Sequence, residues 1–370
     1  MTRVGRRRFI AGAGVAGAGA LAASLPAPAI AQAQPELKWR CASSFPKSLD
    51  TIYGGAEDIA AYVAAMTDGK FQIRAFAAGE IVPAFQVLDA VQKGTVELGH
   101  SASYYYVGKD PTFTFDCTVP LGMNYRIMSS WLREAGGQDM INDFFKDYNI
   151  LPIPCGNTGT QAGGWWKREI KTVEDLRGIK FRIGGWGGAV LVKLGVVPQQ
   201  LGGADIYPAL EKGTIDAAEW VGPYDDEKLG FYKVCKYYYA PGWWEGQTNL
   251  SLYVNLDQWN KLPKTYQAIV RTAAADTNNR ILAAYDFLNP QAMRRLIANG
   301  TELKYFSRPI LDACFKASRE LYTEESARNP KFKKIYGPWS DYLAQQDEWM
   351  RVEEQQFDNY MYSHAGRNKT

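Results

Sequence analysis

Histidine is almost absent from this 370-residue chain, which contains only His100 and His364. Without a histidine cluster, acid–base catalysis or a metal site built on imidazoles is nearly excluded. The chain also lacks a Gly-x-Ser-x-Gly elbow and a credible Ser-His-Asp set, which are the usual marks of serine hydrolases. The sequence therefore favours a ligand-binding protein over an enzyme.

Cysteine is present, but no two cysteines lie close together in the sequence. No C-x-x-C motif occurs, which argues against a zinc ribbon or a redox site. An odd number in an oxidising compartment leaves at least one free thiol, and we expect buried, reduced side chains. The five cysteines are Cys41, Cys117, Cys155, Cys235 and Cys314.

The N-terminus has the pattern of an export signal. Arg6-Arg7-Arg8 forms a twin-arginine motif, an Ala/Gly-rich stretch follows from Ala11 to Leu25, and Ala29-Ile30-Ala31 is a small-x-small cleavage site. The apolar stretch is too short and too rich in glycine to span a membrane, which takes ~20 residues. No cysteine stands at the cleavage site, as a lipoprotein would require. We therefore predict that residues 1–31 are a removed Tat-type signal and that the protein is periplasmic.

Charge excess is also lacking once that signal is set aside. The chain has 42 Lys and Arg against 39 Asp and Glu, and four of its arginines lie within residues 1–31. The remainder is close to neutral, which argues against a nucleic-acid or membrane-surface partner. Residues 32–370 exceed a comfortable single core, so two lobes are expected.

The first hundred residues alternate between strand and helix patterns. Strands are predicted at Leu37–Ser43, Phe71–Phe76 and Val96–His100, with helices at Tyr53–Met66 and Pro83–Lys93. This βαβαβ order predicts an α/β fold with a parallel sheet, and ligands bind beyond the carboxyl ends of such strands.

Arg182 ends an otherwise apolar strand pattern that follows a turn at Arg177-Gly178. A buried arginine needs a partner, and its planar fork suits a carboxylate or phosphate. An acid of the same fold and an anionic ligand are both open alternatives here.

Two further segments leave predicted strand ends. Tyr104-Tyr105-Tyr106 places a phenol over the crevice, or else forms a packing patch. Cys155–Gln161 exposes amides and hydroxyls, including Asn157 and Gln161, or else is a plain polar turn.

Glu219 directly precedes Trp220, and Glu245 directly follows Trp244. A carboxylate among aromatic side chains loses hydration and needs a cation or several donors. A hard cation would satisfy both glutamates, with oxygens from Trp220 and Gln161 completing its shell. The alternative is that one or both are ordinary exposed acids.

The second half of the chain is predicted to contain long helices. Pro263–Ala298 is helical in pattern, and Asn289-Pro290 is expected to kink or break it. Trp339–Tyr360 has apolar residues at helical spacing and predicts an amphipathic helix. This last helix packs either on its own lobe or on a partner subunit.

These motifs resemble the DctP-type solute receptors of tripartite ATP-independent periplasmic (TRAP) transporters. The resemblance rests on the run from Lys171 to Arg182 and on Gly213-Thr214-Ile215-Asp216-Ala217-Ala218-Glu219. A second Glu in a Trp-Trp-Glu-Gly context, 25 residues after Trp220, is similar to the TakP-like branch that binds 2-oxo acids or lactate. The similarity runs through essentially the whole of residues 32–370.

The resemblance implies a set of site residues. In this branch the substrate carboxylate meets an arginine, while that carboxylate and the 2-oxygen chelate a metal ion, either Na⁺ or Ca²⁺. Gln247 is a further, weaker candidate. The implied substrate-binding residues are Arg182, Asn157, Gln161, Tyr104, Tyr105 and Trp220, and the implied metal ligands are Gln161, Glu219, Trp220 and Glu245.

The resemblance also implies an architecture and partners. We expect a two-lobe periplasmic-binding-protein fold with a ligand cleft between the lobes, a long helix spanning both lobes and a C-terminal helix. Partners would be a small monocarboxylate, TRAP permease subunits and, through the C-terminal helix, a second copy. Alternatives are a sensor subunit that presents its ligand to a membrane kinase, or a metal-assisted lyase or hydrolase. The expected division is 32–155 plus 247–285 for lobe I, 156–246 plus 286–338 for lobe II and spanning helices, and 339–370 for the C-terminal helix and tail.

Overall fold

The computed structural model describes residues 34–364, so the predicted signal at 1–31 lies outside the described residues. Its strands are β1 Leu37–Ser43, β2 Phe71–Phe76, β3 Leu98–Ser101, β4 Ile150–Asn157, β5 Trp165–Trp166, β6 Lys180–Arg182, β7 Val197–Gln199, β8 Ala217–Ala218, β9 Tyr237–Ala240, β10 Asn249–Asn255 and β11 Glu302–Tyr305. Its α-helices are α1 Gly54–Met66, α2 Val87–Gln92, α3 Tyr125–Glu134, α4 Gly137–Phe145, α5 Gly185–Val192, α6 Gly203–Lys212, α7 Pro223–Leu229, α8 Leu256–Lys261, α9 Lys264–Ala298, α10 Arg308–Arg328, α11 Pro330–Val352 and α12 Glu354–Ser363. Short 3₁₀ helices occur at Ala84–Gln86, Ser103–Tyr106, Pro111–Asp116, Lys146–Tyr148, Glu174–Leu176 and Phe231–Lys233.

The strands form two separate sheets, as a two-lobe α/β fold requires. The first sheet has the order β2-β1-β3-β10-β4 and the second β11-β9-β5-β8-β6-β7. In the first sheet β1 pairs in parallel with β2 and β3, which confirms the predicted βαβαβ unit. Strand β10 is antiparallel to both β3 and β4, so the sheet is mixed.

Two chain segments cross side by side between the sheets. Residues 158–164 lead from β4 to β5, and residues 241–248 return from β9 to β10. Backbone hydrogen bonds join them: Thr158 N donates to Thr248 O at 3.2 Å, and Gln161 N to Glu245 O at 3.1 Å. Side chains on these crossings therefore lie between the lobes, where a cleft ligand would sit.

The helix α9 contacts both lobes. On one side Gly55 of α1 lets α9 approach, since a Cβ there would lie 2.5 Å from Cδ1 of Ile281. On the other, Asn289 Oδ1 accepts from Tyr224 N of α7 at 3.0 Å. Of the predicted kink or break at Asn289-Pro290, the break does not occur, because the helix continues to Ala298.

Two other helical regions are poorly marked by local sequence patterns. The apolar run from Asn124 to Tyr148 is two helices, α3 and α4, separated at Gly136, whose φ of 76° only glycine adopts without strain. The helix α10 escaped detection because its buried face includes Cys314, Ala317, Ser318 and Glu325, which carry little hydrophobic signal.

The predicted C-terminal helix begins earlier than expected, at Pro330. Its first half packs on the lobe that holds the first sheet, where the rings of Phe332 and Trp339 lie 4.7 and 6.0 Å from Phe115. Beyond this half, Leu343 and Met350 stay partly buried against the core, whereas Trp349, Phe357 and Tyr360 are exposed. All five cysteines are buried and unpaired, as predicted. Among residues 34–364, no helix has the length and apolar character needed to cross a bilayer.

Candidate carboxylate and metal site

The crossing segments place Gln161 and Glu245 next to each other. Thr248 links them, because its hydroxyl accepts from Gln161 Nε2 at 2.9 Å and donates to Glu245 Oε2 at 3.0 Å. Gln161 Nε2 also donates to Thr158 Oγ1 at 3.2 Å. The amide nitrogen of Gln161 is thus fully used, while its buried oxygen Oε1 has no partner among the described residues.

Arg182 reaches the same region from the end of β6. Its Nη1 donates to both the carbonyl (2.7 Å) and Oε1 of Glu219, and its Nε donates to the carbonyl of Leu201 at 3.0 Å. The guanidinium carbon lies 4.9 Å from the Trp220 ring centre, a cation–π contact. The acid of its own fold is therefore one partner, yet Nη2 is buried without a partner in the described chain. That second nitrogen is available to an anion.

The two glutamates carry more negative charge than their surroundings balance. Arg182 and Glu219 are each 0 % exposed and Glu245 is 1 % exposed. Burial raises the pKa of Glu219, and Arg182 together with the amide of Gly184 opposes the rise. Burial and then the charge of Glu219 raise the pKa of Glu245 well above its usual value, because its local donors are neutral. The pair therefore requires an additional cation or a proton.

Tyr104 closes the site against the glycine-rich segment after β6. A Cβ at Gly184 would lie 2.5 Å from Cε2 of Tyr104, so only glycine lets the ring seat there. Gly185 has a φ of 61° and faces the same ring. The Gly184–Gly188 run thus serves packing between the lobes; it is not a phosphate loop.

A small cavity of about 10 Å³, which is room for about one water molecule, lies beside these groups. Of the predicted residues, Tyr104, Tyr105, Gln161 and Trp220 line it. Most of the remaining wall residues could not be predicted from the sequence. They come from distant loops and strands and meet only in the folded chain. These are Phe45, Ile52, Ala102, Thr158, Val221, Thr248 and Leu250.

Asn157 is the predicted substrate residue that the structure places differently. Its Nδ2 donates to Gln247 Oε1 at 2.5 Å and its Oδ1 accepts from Gly159 N at 3.0 Å. Gln247 in turn donates to the carbonyl of Cys117 at 2.6 Å. Both amides are bonded within the protein, and Asn157 lines a separate groove beside α3 and α9. Direct ligand contact by either residue stays a prediction.

Several tryptophans near the crossing segments pack into the core and do not line this cavity. Trp165 stacks on Tyr238 with ring centres 4.3 Å apart, and Trp186 lies 4.8 Å from Phe332. Of the tryptophans, the cavity wall contains Trp220. Tryptophan beside a crossing strand therefore indicated core packing rather than ligand contact.

The donor set fits a hard cation. No group of three or more His, Cys, Asp or Glu side chains meets within residues 34–364. Mixed oxygen donors are present instead: Gln161 Oε1 and Glu219 Oε2 are buried without partners in the described structure, and Glu245 lies beside Gln161. Amide, carboxylate and carbonyl oxygens are the ligands that Ca²⁺ and similar ions take.

Comparison with known families decides the assignment. The family described as DctP, bacterial extracellular solute-binding protein family 7, matches residues 42–329. The chain is a member of the DctP family of TRAP solute-binding receptors. The predicted family and two-lobe fold are thereby confirmed, and the family is one of periplasmic transport receptors rather than enzymes.

Three relatives of this DctP receptor are close. A "monocarboxylate 2-oxoacid-binding periplasmic protein" of Nostoc is 49 % identical over 89 % of this chain and 90 % of its own. A TRAP solute-binding protein from Bordetella bronchiseptica, a dimer with calcium and picolinate, is 50 % identical over 91 % of this chain and 100 % of its own, with a TM-score of 0.90. One from Pseudoalteromonas atlantica with sodium and pyruvate is 35 % identical over 88 % of this chain and 99 % of its own, with a TM-score of 0.85.

Proposed function

We propose that this DctP receptor captures a small 2-oxo monocarboxylate, such as pyruvate or a longer or branched 2-oxo acid, or lactate. A cation bound in the same site assists the capture. The carrying observation is that Arg182 Nη2, Gln161 Oε1 and Glu219 Oε2 are all buried and all lack a partner among residues 34–364. Buried polar atoms are nearly always bonded, so a donor and two acceptors left open in one site call for a ligand. The relatives that bind calcium or sodium with small carboxylates support the same conclusion.

Each residue has a distinct task in this proposal. Arg182 donates Nη2 to the ligand carboxylate while Nη1 and Nε hold it on Glu219 and Leu201. Gln161, Glu219, Glu245 and the carbonyl of Trp220 hold the cation, which would draw together the ligand carboxylate and its 2-oxygen. Tyr104 and Tyr105 cover the ligand and exclude water, which strengthens these charged contacts.

Charge favours a divalent ion. Two glutamates, one ligand carboxylate and one arginine sum to −2, so Ca²⁺ leaves the site neutral and Na⁺ leaves a net negative charge. Because the site is buried, the difference matters more than at a surface. We therefore infer that Ca²⁺ supports tighter binding than Na⁺, and that both ions are accepted.

Delivery follows from lobe closure. The lobes, with the boundaries predicted above, close around the ligand by bending at the two crossings and at α9. The closed receptor then presents its unchanged ligand to TRAP permease subunits. Export through the Tat route by residues 1–31 places it in the periplasm before this step.

The C-terminal helix completes the proposal as a dimer contact. Trp349, Phe357 and Tyr360 are 51, 66 and 67 % exposed and form an apolar surface beyond the packed part of α11. A second copy is its occupant, in keeping with the dimeric Bordetella relative. Sedimentation velocity of Phe357→Glu/Tyr360→Glu is expected to yield monomers. Phe315→Glu on α10, also exposed, is the control and stays dimeric; a wild-type monomer would contradict the proposal.

Calorimetric titration tests the main claim. Metal-stripped protein is titrated with pyruvate, a branched 2-oxo acid and lactate, each without cation, with NaCl and with CaCl₂. We expect tight binding of a 2-oxo acid only with a cation. Equal binding in all three conditions would remove Glu245 and Gln161 from the site while leaving the family assignment intact.

A further inference from the structure

Outside the ligand cavity, one buried carboxylate joins the two lobes. Asp225, at the start of α7, accepts from Thr51 Oγ1 at 2.9 Å through Oδ1 and from Tyr285 OH at 2.7 Å through Oδ2. Thr51 lies in the loop between β1 and α1 beside the first sheet, whereas α7 follows β8 of the second sheet. Tyr285 belongs to α9, which contacts both.

The bond connects the two chain segments that face each other across the cavity. Ile52, next to Thr51, is part of the cavity wall, and so are Trp220 and Val221, which precede α7. A movement that separates Thr51 from Asp225 therefore also separates Ile52 from Trp220. The bond with Tyr285 and the contact of Asn289 with α7 tie Asp225 to α9. They can persist while the contact with Thr51 is broken.

The chemistry makes this contact strong for its size. Burial raises the pKa of Asp225 to about 6, and the side-chain hydrogen bonds from Tyr285, Thr51 and Trp220 oppose the rise. A buried anion served by neutral donors depends on each of them, because a lost donor leaves charge without compensation. The nearby pair between Asp50 and Lys228 is 61 and 29 % exposed and contributes little.

We propose that the hydrogen bond from Thr51 to Asp225 is a closure contact, made when the lobes close and broken when they open, which sets how slowly the bound ligand is released. The effect on ligand release rests on the proposed function, whereas the effect on lobe closure does not. Thr51 and Asp225 are positioning residues, since neither touches the cavity.

Two hydroxyl deletions test this closure contact. Thr51→Val removes the donor that crosses between the lobes, and Thr51→Ser restores it. Tyr238→Phe is the matched control, because Tyr238 OH donates at 2.9 Å to the adjacent, equally buried Asp226 within the second-sheet lobe. Stopped-flow release of pyruvate in CaCl₂ is expected to be about 10-fold faster in Thr51→Val, with association unchanged. Thr51→Ser and Tyr238→Phe should both match the wild type.

A second readout needs no ligand. Labels at Lys70→Cys and Lys212→Cys, one in each lobe, report the lobe-to-lobe distance of the ligand-free protein. The closed population is expected to fall in Thr51→Val and to stay unchanged in Tyr238→Phe. If pyruvate binds none of the proteins, the proposed function fails and this distance alone decides the inference. Where pyruvate binds, equal release rates in Thr51→Val and Tyr238→Phe would overturn the inference. Where nothing binds, equal distance distributions in these two variants would overturn it.

Discussion

Two pairs of buried acids, Glu219 with Glu245 and Asp225 with Asp226, differ in how well their surroundings supply hydrogen-bond donors. Asp225 and Asp226 have hydrogen-bond donors at every carboxylate oxygen, including Trp165 Nε1 and Tyr238 OH for Asp226. Glu219 is equally buried but leaves Oε2 without a partner in the described chain. Burial is common to both pairs, so burial alone does not mark a ligand site.

The two pairs differ in how many polar atoms without a hydrogen-bond partner lie close together. Single unpartnered atoms occur elsewhere, such as Oδ1 of Asp116. Around Glu219, however, an unpaired guanidinium nitrogen of Arg182 and an unpaired oxygen of Gln161 occur in the same site. The oxygens of a structural carboxylate are hydrogen-bonded within the protein, whereas a ligand-binding carboxylate has an oxygen left for the ligand or metal ion.

The largest expected effect comes from Arg182→Ala. The variant removes the guanidinium that is proposed to donate to the ligand carboxylate. It also leaves the buried charge of Glu219 without the arginine that pairs with it, so we expect 2-oxo acid affinity to fall at least about 100-fold. Calorimetry measures it. Arg177→Ala, an exposed arginine five positions earlier, is the control and should bind as the wild type does. Unchanged affinity in Arg182→Ala would end the proposed role of this residue.

Glu245→Gln sharpens the comparison between the acid pairs. Loss of one carboxylate from the cation shell is expected to weaken Ca²⁺-dependent binding at least about 10-fold and to narrow the advantage of Ca²⁺ over Na⁺. Asp226→Asn removes a carboxyl group of similar burial from the satisfied pair and is expected to leave ligand affinity unchanged. Equal losses in both variants would mean that the two pairs do not differ in function.

Asp226 is expected to make the stability of the protein depend on pH. Burial raises the pKa of Asp226 to about 7, above its usual value. Because the folded state holds this proton more tightly than the unfolded state, ionisation disfavours the fold. The contribution of Asp226 to stability is thus greatest below about pH 4 and falls as the pH rises to about 7.

Asp226→Asn lacks this titration. Its free energy of unfolding relative to the wild type should therefore rise between pH 4 and 8, by on the order of 3 kcal/mol. Urea unfolding across this range measures the difference. A constant difference between variant and wild type would contradict the raised pKa.

The sequence predicted the parts of the site whose chemistry is local. A buried arginine at the end of β6 and glutamates beside tryptophans are visible in short segments. So is the βαβαβ unit, because hydrophobic periodicity acts over a few residues.

The rest depends on long-range packing. Thr158 and Thr248 meet at the cavity because β4 and β10 pair, and Ile52 reaches it from the loop between β1 and α1. Nothing near these residues in sequence signals this. Asn157 looked free but is bonded to Gln247, ninety positions away. Pro290 predicted a kink or break, yet the helix α9 continues past it to Ala298. Partners distant in the chain determine which polar groups are satisfied.

The central claim is that Gln161, Glu219 and Glu245 bind a cation that a 2-oxo acid shares. Crystals grown with CaCl₂ and pyruvate, measured for anomalous scattering from calcium, test it most directly. The account predicts one strong anomalous peak within bonding distance of oxygens from these three residues and from pyruvate, whose carboxylate contacts Arg182. Pyruvate bound in the cavity with no such peak beside it would contradict the account.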